Sequence, residues 1–185
     1  MAEIRTIAVI GAGALGREIA YASVLAGYRT ILEDILPVSL RNAAAELREH
    51  LARAANVGSV SESEAKAAFS RLEYAATVEQ AAREADMVIE SVPDEMESKI
   101  EIFTLLDKIC RPATILASNT SSLSVTEIAS VTYRAPKILG MRFANSASGK
   151  LLEMTSGRET SDETTAACVE VARRLGRKVV MVADR

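Results

Sequence analysis

The chain has 185 residues, with 22 Lys and Arg against 25 Asp and Glu and a formal net charge of −3. That length supports one well-buried domain, and the interspersed signs exclude the basic stripe a nucleic-acid surface needs. No apolar run reaches the roughly 18 residues of a membrane span, and "MAEIRTIAVIG" lacks a signal-peptide layout. Cys110 and Cys168 have no metal-ligand spacing; they read as reduced thiols of a cytoplasmic chain, with no metal expected.

The elements alternate along the chain. "TIAVI" reads as a strand buried on both faces, as in a parallel sheet. After a glycine turn, "ALGREIAYASVLAG" has helical spacing, with Leu15, Ile19, Ala22 and Leu25/Ala26 on one side and Gly27 as the stop. "RTILED" is a second strand. A helix follows from Pro37 to about Asn56, with Leu40, Leu47 and Leu51 on one side, and Gly58 ends it. Ser61 and Glu64 form a capping box for a further helix to Phe69. "RLEYA" is a strand, Thr77 caps a short helix, and "DMVIESV" is a buried strand stopped by Pro93. A helix covers Met96 to Ile109, and "TILAS" is the next strand, followed by the hydroxyl-rich "SNTSSLSVTEIAS". "KILGMRF" and "KLLEMT" are strands flanking a loop from Asn145 to Gly149. Thr160 or Ser161 caps a helix to about Leu175, and "RKVVMV" is the last strand. Such alternation predicts an α/β fold, a Rossmann-type doubly wound, mostly parallel sheet with a helical hairpin inserted after the second strand.

Two features point to a dinucleotide. Gly11, Gly13 and Gly16 have the G-x-G-x-x-G spacing between a strand and a helix. The first glycine permits the tight turn, the second lets a diphosphate approach the backbone, and the third lets helix and strand pack closely. Asp34 ends the second strand, where a carboxylate accepts ribose hydroxyls and repels the extra phosphate of NADP. The expected cofactor is NAD. Glu33, one residue earlier, alternates to the other face and reads as structural.

"ADMVIESVPDEMESKIEIFTLLDKI" and then "ILASNTSSLSVTEIA" are more specific. They resemble the NAD-binding domain of the 3-hydroxyacyl-CoA dehydrogenase family, over nearly the whole chain. The resemblance implies that Gly11, Ala12, Gly13, Ala14, Leu15 and Gly16 line the diphosphate and that Asp34 holds the adenosine ribose. It places Asp94 and Lys99 near the cofactor, Ser118 between cofactor and substrate, and Asn145 at the family's asparagine. Glu153, in "LLEM", matches the glutamate that orients the catalytic histidine, and the helical hairpin matches one that helps hold coenzyme A. The family's strand ends in that histidine, "HFFNP"; here Arg142 stands in its place, one residue closer to Glu153 than usual.

The sole histidine, His50, lies in the hairpin and reads as an ordinary helix residue. An arginine keeps its proton at any working pH and cannot serve as the base. The expected function is an NAD-dependent oxidoreductase acting on a 3-hydroxyacyl thioester or related 3-hydroxy acid, with Arg142, Glu153 and Ser118 as catalytic residues. An NAD(H)-binding module without dehydrogenase turnover is the alternative. The resemblance also implies an acyl-CoA substrate, a role in fatty-acid metabolism, and a homodimer formed through a helical domain beyond residue 185.

Overall fold

Strand β1 (Thr6–Ile10) is buried at every position and sits inside the sheet, between β2 (Arg29–Glu33) and β4 (Met87–Glu90). The computed structural model describes residues 3–146 and 149–185. The remaining strands are β3 (Leu72–Ala75), β5 (Ile115–Ser118), β6 (Ile138–Ser146), β7 (Gly149–Ser156) and β8 (Lys178–Val182). Among the described residues they form one eight-stranded sheet, ordered β3-β2-β1-β4-β5-β6-β7-β8. β1 to β6 pair in parallel, β7 returns antiparallel to β6, and β8 runs parallel to β7. The six parallel strands have the doubly wound order, in which ligands bind beyond the carboxyl ends of the strands where the order reverses.

Helices cover both faces. On one lie α1 (Ala14–Leu25), α2 (Pro37–Asn56), α3 (Glu62–Ser70) and α7 (Asp162–Arg174), closing a core that includes Ile19, Leu47, Leu139 and Cys168. On the other lie α4 (Val78–Ala82), α5 (Met96–Ile109) and α6 (Val125–Ser130), over Ala8, Val88, Phe103 and Leu116. Each such large aliphatic or aromatic side chain contributes roughly 1.5–3 kcal/mol by leaving water. Both cysteines are buried and unpaired. No helix among the described residues is long and apolar enough to cross a membrane.

The local signals act as expected at most boundaries. Ser61 accepts from the Glu64 N–H while Glu64 reaches back to the Ser61 N–H, completing the capping box. Thr77 caps α4, Ser161 caps α7, and Gly58 takes a positive φ of 73° where α2 stops.

Three expectations change. The buried stripe of α1 is Gly16, Ile19, Ala20, Ser23 and Val24, while Leu15 is 44% exposed, because the first turn faces a cleft instead of the sheet. Within the hydroxyl-rich run, α6 forms with Ser124 capping the Glu127 N–H. The Asn145–Gly149 loop is tighter than its composition implies: Asn145 pairs with Lys150 and Ser146 with Gly149 as strand residues, and Ala147 and Ser148 lie outside the described residues.

Candidate active site

The carboxyl ends of the parallel strands open into a cleft of about 1010 Å³. Its floor is the glycine turn, and the structure separates the three glycine roles. Gly11 has φ +98°, and a Cβ there would meet the Ser91 carbonyl at 2.7 Å. A Cβ on Gly16 would lie 1.8 Å from the Gly11 carbonyl oxygen, so this glycine lets helix and turn touch. A Cβ on Gly13 would meet nothing within 4 Å; its empty side faces the cleft. Gly13 is also the N-cap of the 12-residue α1, with no side chain capping the free N–H groups and no acid in the first turn. That end carries open donors and positive dipole for a diphosphate.

Four of the six turn residues expected to line the cofactor do border the cleft: Gly11, Gly13, Ala14 and Leu15. Ala12 and Gly16 do not, because both are buried behind the turn. Ala12 acts through its backbone, donating its N–H to Asp34 Oδ2 at 2.9 Å. The other Asp34 oxygen accepts from the Leu36 N–H at 2.9 Å. Both bonds aim the carboxylate into the cleft and leave each oxygen a free lone pair for a ribose hydroxyl. The donor set and the open side of Gly13 fit NAD.

The far wall corrects two assignments. Lys99 does not border the cleft: it is 0% exposed, inside α5, donating to Glu90 Oε1 at 2.8 Å and to the Val92 carbonyl at 3.3 Å, with Asp94 at 3.9 Å. Ser118 is likewise 0% exposed and donates to Glu90 Oε2 at 2.8 Å. With the Val92 N–H at 2.6 Å, these donors hold Glu90, whose carboxyl burial still raises above the ordinary range. The trio Lys99–Glu90–Ser118 therefore forms the back of the wall and does not border the cleft.

The surface of that wall comes from residues the sequence reading left unassigned. Asn119 and Ser121 border the cleft, and Asn119 Oδ1 accepts from the Phe143 N–H at 3.1 Å, tying the serine loop to β6. Asp94 accepts from the Ser121 N–H at 3.2 Å and from the Ser121 hydroxyl at 2.9 Å. Burial pushes Asp94 up, but the hydroxyl and amide donors and the nearby Lys99 outweigh it, and its carboxyl lies below the usual range. Asn119 and Ser121 stand in the same "SNTSSL" run as Ser118. The signal was available: β5 ends at Ser118, and the residues beyond a strand's carboxyl end are the ones that reach a ligand.

Arg142 on β6 sits directly opposite Glu153 on β7, and its Nη1 donates to Glu153 Oε2 at 2.7 Å. Both side chains are partly exposed, at 43% and 30%. Arg142 and Ser121 border the large cleft and also a second cavity of about 310 Å³, to which Glu153 and Thr155 contribute. The pair thus stands between a cofactor-sized space and a smaller one. The Asn145 side chain lies outside the described residues, and His50 is exposed on α2 and borders no part of the large cleft.

Residues 6–185 match the family described as 3-hydroxyacyl-CoA dehydrogenase, NAD binding domain. The chain belongs to that family. A relative in Bacillus subtilis, a probable 3-hydroxybutyryl-CoA dehydrogenase, is 41% identical over 98% of this chain and 63% of its own length. Among solved structures, 3-hydroxybutyryl-CoA dehydrogenase from Escherichia coli superposes with a TM-score of 0.93 at 30% identity, covering 98% of this chain and 39% of that one. The (S)-3-hydroxybutyryl-CoA dehydrogenase from Ralstonia eutropha gives 0.92 at 31% identity, covering 99% and 65%. The chain spans less than two thirds of the length of these proteins. Family membership makes this an NAD-binding domain.

Proposed function

We propose that this domain belongs to an NAD-dependent dehydrogenase acting on a 3-hydroxyacyl or 3-ketoacyl thioester. Relatives in Bacillus subtilis and Bradyrhizobium diazoefficiens are named for 3-hydroxybutyryl-CoA, and that short acyl-CoA is the substrate we assign. The carrying observation is the Arg142–Glu153 pair at the wall shared by the two cavities.

NAD, when bound, supplies the hydride acceptor or donor. The chain's own residues then deal with the substrate oxygen. Arg142 takes the position of the family's histidine and donates a hydrogen bond to a carbonyl or developing alkoxide, as an oxyanion-type group. Glu153 fixes the guanidinium through a charge-assisted bond. The Ser121 hydroxyl gives its one O–H to Asp94, so it meets a 3-hydroxy substrate as an acceptor for the alcohol O–H, and it replaces Ser118 at that position. Arginine keeps its proton, so water must carry the alcohol proton away. Oxidation is then slowed by roughly the 10²–10⁴-fold that a positioned acid–base group supplies, and reduction of a 3-keto substrate suffers less.

We place the full-length protein in the cytoplasm, in fatty-acid metabolism and as a homodimer; support comes from the family and from the two buried free thiols. The same arginine also favours a second reading, an NAD-binding module without turnover. The deciding assay measures NADH consumption with acetoacetyl-CoA, and oxidation of 3-hydroxybutyryl-CoA from pH 6 to 9, by wild type and Arg142→His. Arg142→His should speed oxidation and add a pH profile with a midpoint of about 6.5–7. NADH binding with no turnover in either direction selects the module, and wild-type oxidation at the mutant's rate removes the role given to Arg142.

A further inference from the structure

Asp34 is one of two acids at the end of β2. Glu33, beside it, is 5% exposed and pairs in register with Ile10 at the foot of the glycine turn. It borders the same cleft as Gly11, Asp34 and Val78. A buried acid is ordinarily matched by a cation. No ion pair among the described residues includes Glu33. The charges that act on it are both acidic: Asp34, the residue just past β2, and Glu79 on α4. The Gly11 backbone N–H opposes them only in part. Burial, followed by Asp34, pushes the Glu33 carboxyl up to about 7.

NAD(H) brings a diphosphate and an adenosine into that cleft. Occupancy removes water from the mouth of Glu33 and adds negative charge near it, and both changes disfavour the carboxylate. We infer that Glu33 takes up a proton from solvent when the cofactor binds, so that affinity for NAD(H) falls as the pH rises through neutrality. Linkage fixes the sign: whatever raises the affinity of Glu33 for its proton in the complex makes the protonated protein bind cofactor more tightly, by the same factor. The inference rests on the family's cofactor and not on the reaction proposed above.

The test is NADH titration of the full chain, by fluorescence and by calorimetry, from pH 5.5 to 8.5. Wild type should bind about 3- to 10-fold more weakly at pH 8.5 than at pH 6, for a carboxyl shifted by half a unit to one unit on binding. Glu33→Gln should flatten the profile and bind at pH 8.5 more tightly than wild type. His50→Asn should keep the wild-type profile, because His50 lies outside the cleft. A reading that needs no variant is the heat of binding at pH 7.5 in phosphate and in Tris, where a difference between buffers reports proton uptake. Equal heats in the two buffers overturn the inference. So does a Glu33→Gln profile parallel to wild type, or a His50→Asn profile that turns flat. A flat wild-type profile together with dehydrogenase turnover refutes the inference alone, and proton uptake without turnover leaves it standing while the dehydrogenase fails.

Discussion

Replacing Lys99 with methionine removes a cation from a place that holds no water. Lys99 and Glu90 are both 0% exposed, their charged atoms are 2.8 Å apart, and Ser118 and the Val92 N–H fill out the acceptor sites of the carboxylate. The pair itself adds little net stability, because desolvation offsets most of its attraction, but an orphaned charge has nothing to offset it. Breaking a buried pair costs about 3–5 kcal/mol, which for a chain of this size lowers Tm by roughly 6–20 °C. The deficit depends on pH. Burial holds Glu90 above the ordinary carboxylate range even with Lys99 present, and without the lysine it rises further. Between the unfolded value near ~4.5 and this raised value the folded state holds the extra proton, so stability falls as pH rises. Lys99→Met should therefore be nearly normal at pH 5 and much weakened at pH 8. Glu90→Gln in the same chain should recover most of the loss. Thermal melts at both pH values, with NADH affinity measured well below the melting point, separate the structural role from a cofactor contact. A melting point within about 2 °C of wild type at pH 8, with a large loss of NADH affinity, would return Lys99 to the cleft and refute this reasoning.

Other substitutions should divide the site in the same way. Asp34→Ala removes a charged acceptor for the ribose, worth roughly 1.5–3 kcal/mol per hydrogen bond, and NADH fluorescence titration should show at least a tenfold weaker complex. Gly13→Ala should leave Tm unchanged and weaken NADH, since its Cβ enters open cleft. Gly16→Ala should fail to give soluble folded protein, since its Cβ would lie 1.8 Å from a backbone oxygen. Ser121→Ala should lower turnover with little change in melting, whereas Ser118→Ala should lower Tm, by taking one donor from Glu90; steady-state assays beside melts decide which serine faces the substrate.

The fold was legible where local chemistry repeats a rule. The buried run "TIAVI", the Ser61–Glu64 box and the stop at Gly58 each admit few conformations, and the structure adopts the expected ones; β4 ends at Glu90, ahead of the expected stop at Pro93. The α6 helix was hidden because its residues, "VTEIAS", stand inside a run of hydroxyls that also suits turns; only Ser124 and Glu127, spaced as a cap, mark it. The site was legible at Asp34 and at the glycines, whose roles follow from backbone geometry. Ser118 and Ser121 differ by which side of a strand end they occupy, and Lys99 and Glu90 by a pairing across the α5–β4 interface. No spacing along the chain encodes either distinction. Glu33 shows the same limit, since strand alternation sends it away from Asp34 while the curve of the cleft brings it back.

The hairpin of β6 and β7 has a consequence for how this site varies. Arg142 and Glu153 are 11 residues apart in sequence and meet by register alone, whereas the cofactor half depends on β1 meeting β4 across some 80 residues of intervening chain. The chemistry proposed for the substrate side would thus be set by a contact that one ribbon makes with itself. A change of residue type at position 142 is answered by a single neighbour, and the glycine turn, the ribose acid and the buried Lys99–Glu90 pair are untouched by it. The ribbon is held to the rest of the site from one side, where the Phe143 N–H meets Asn119.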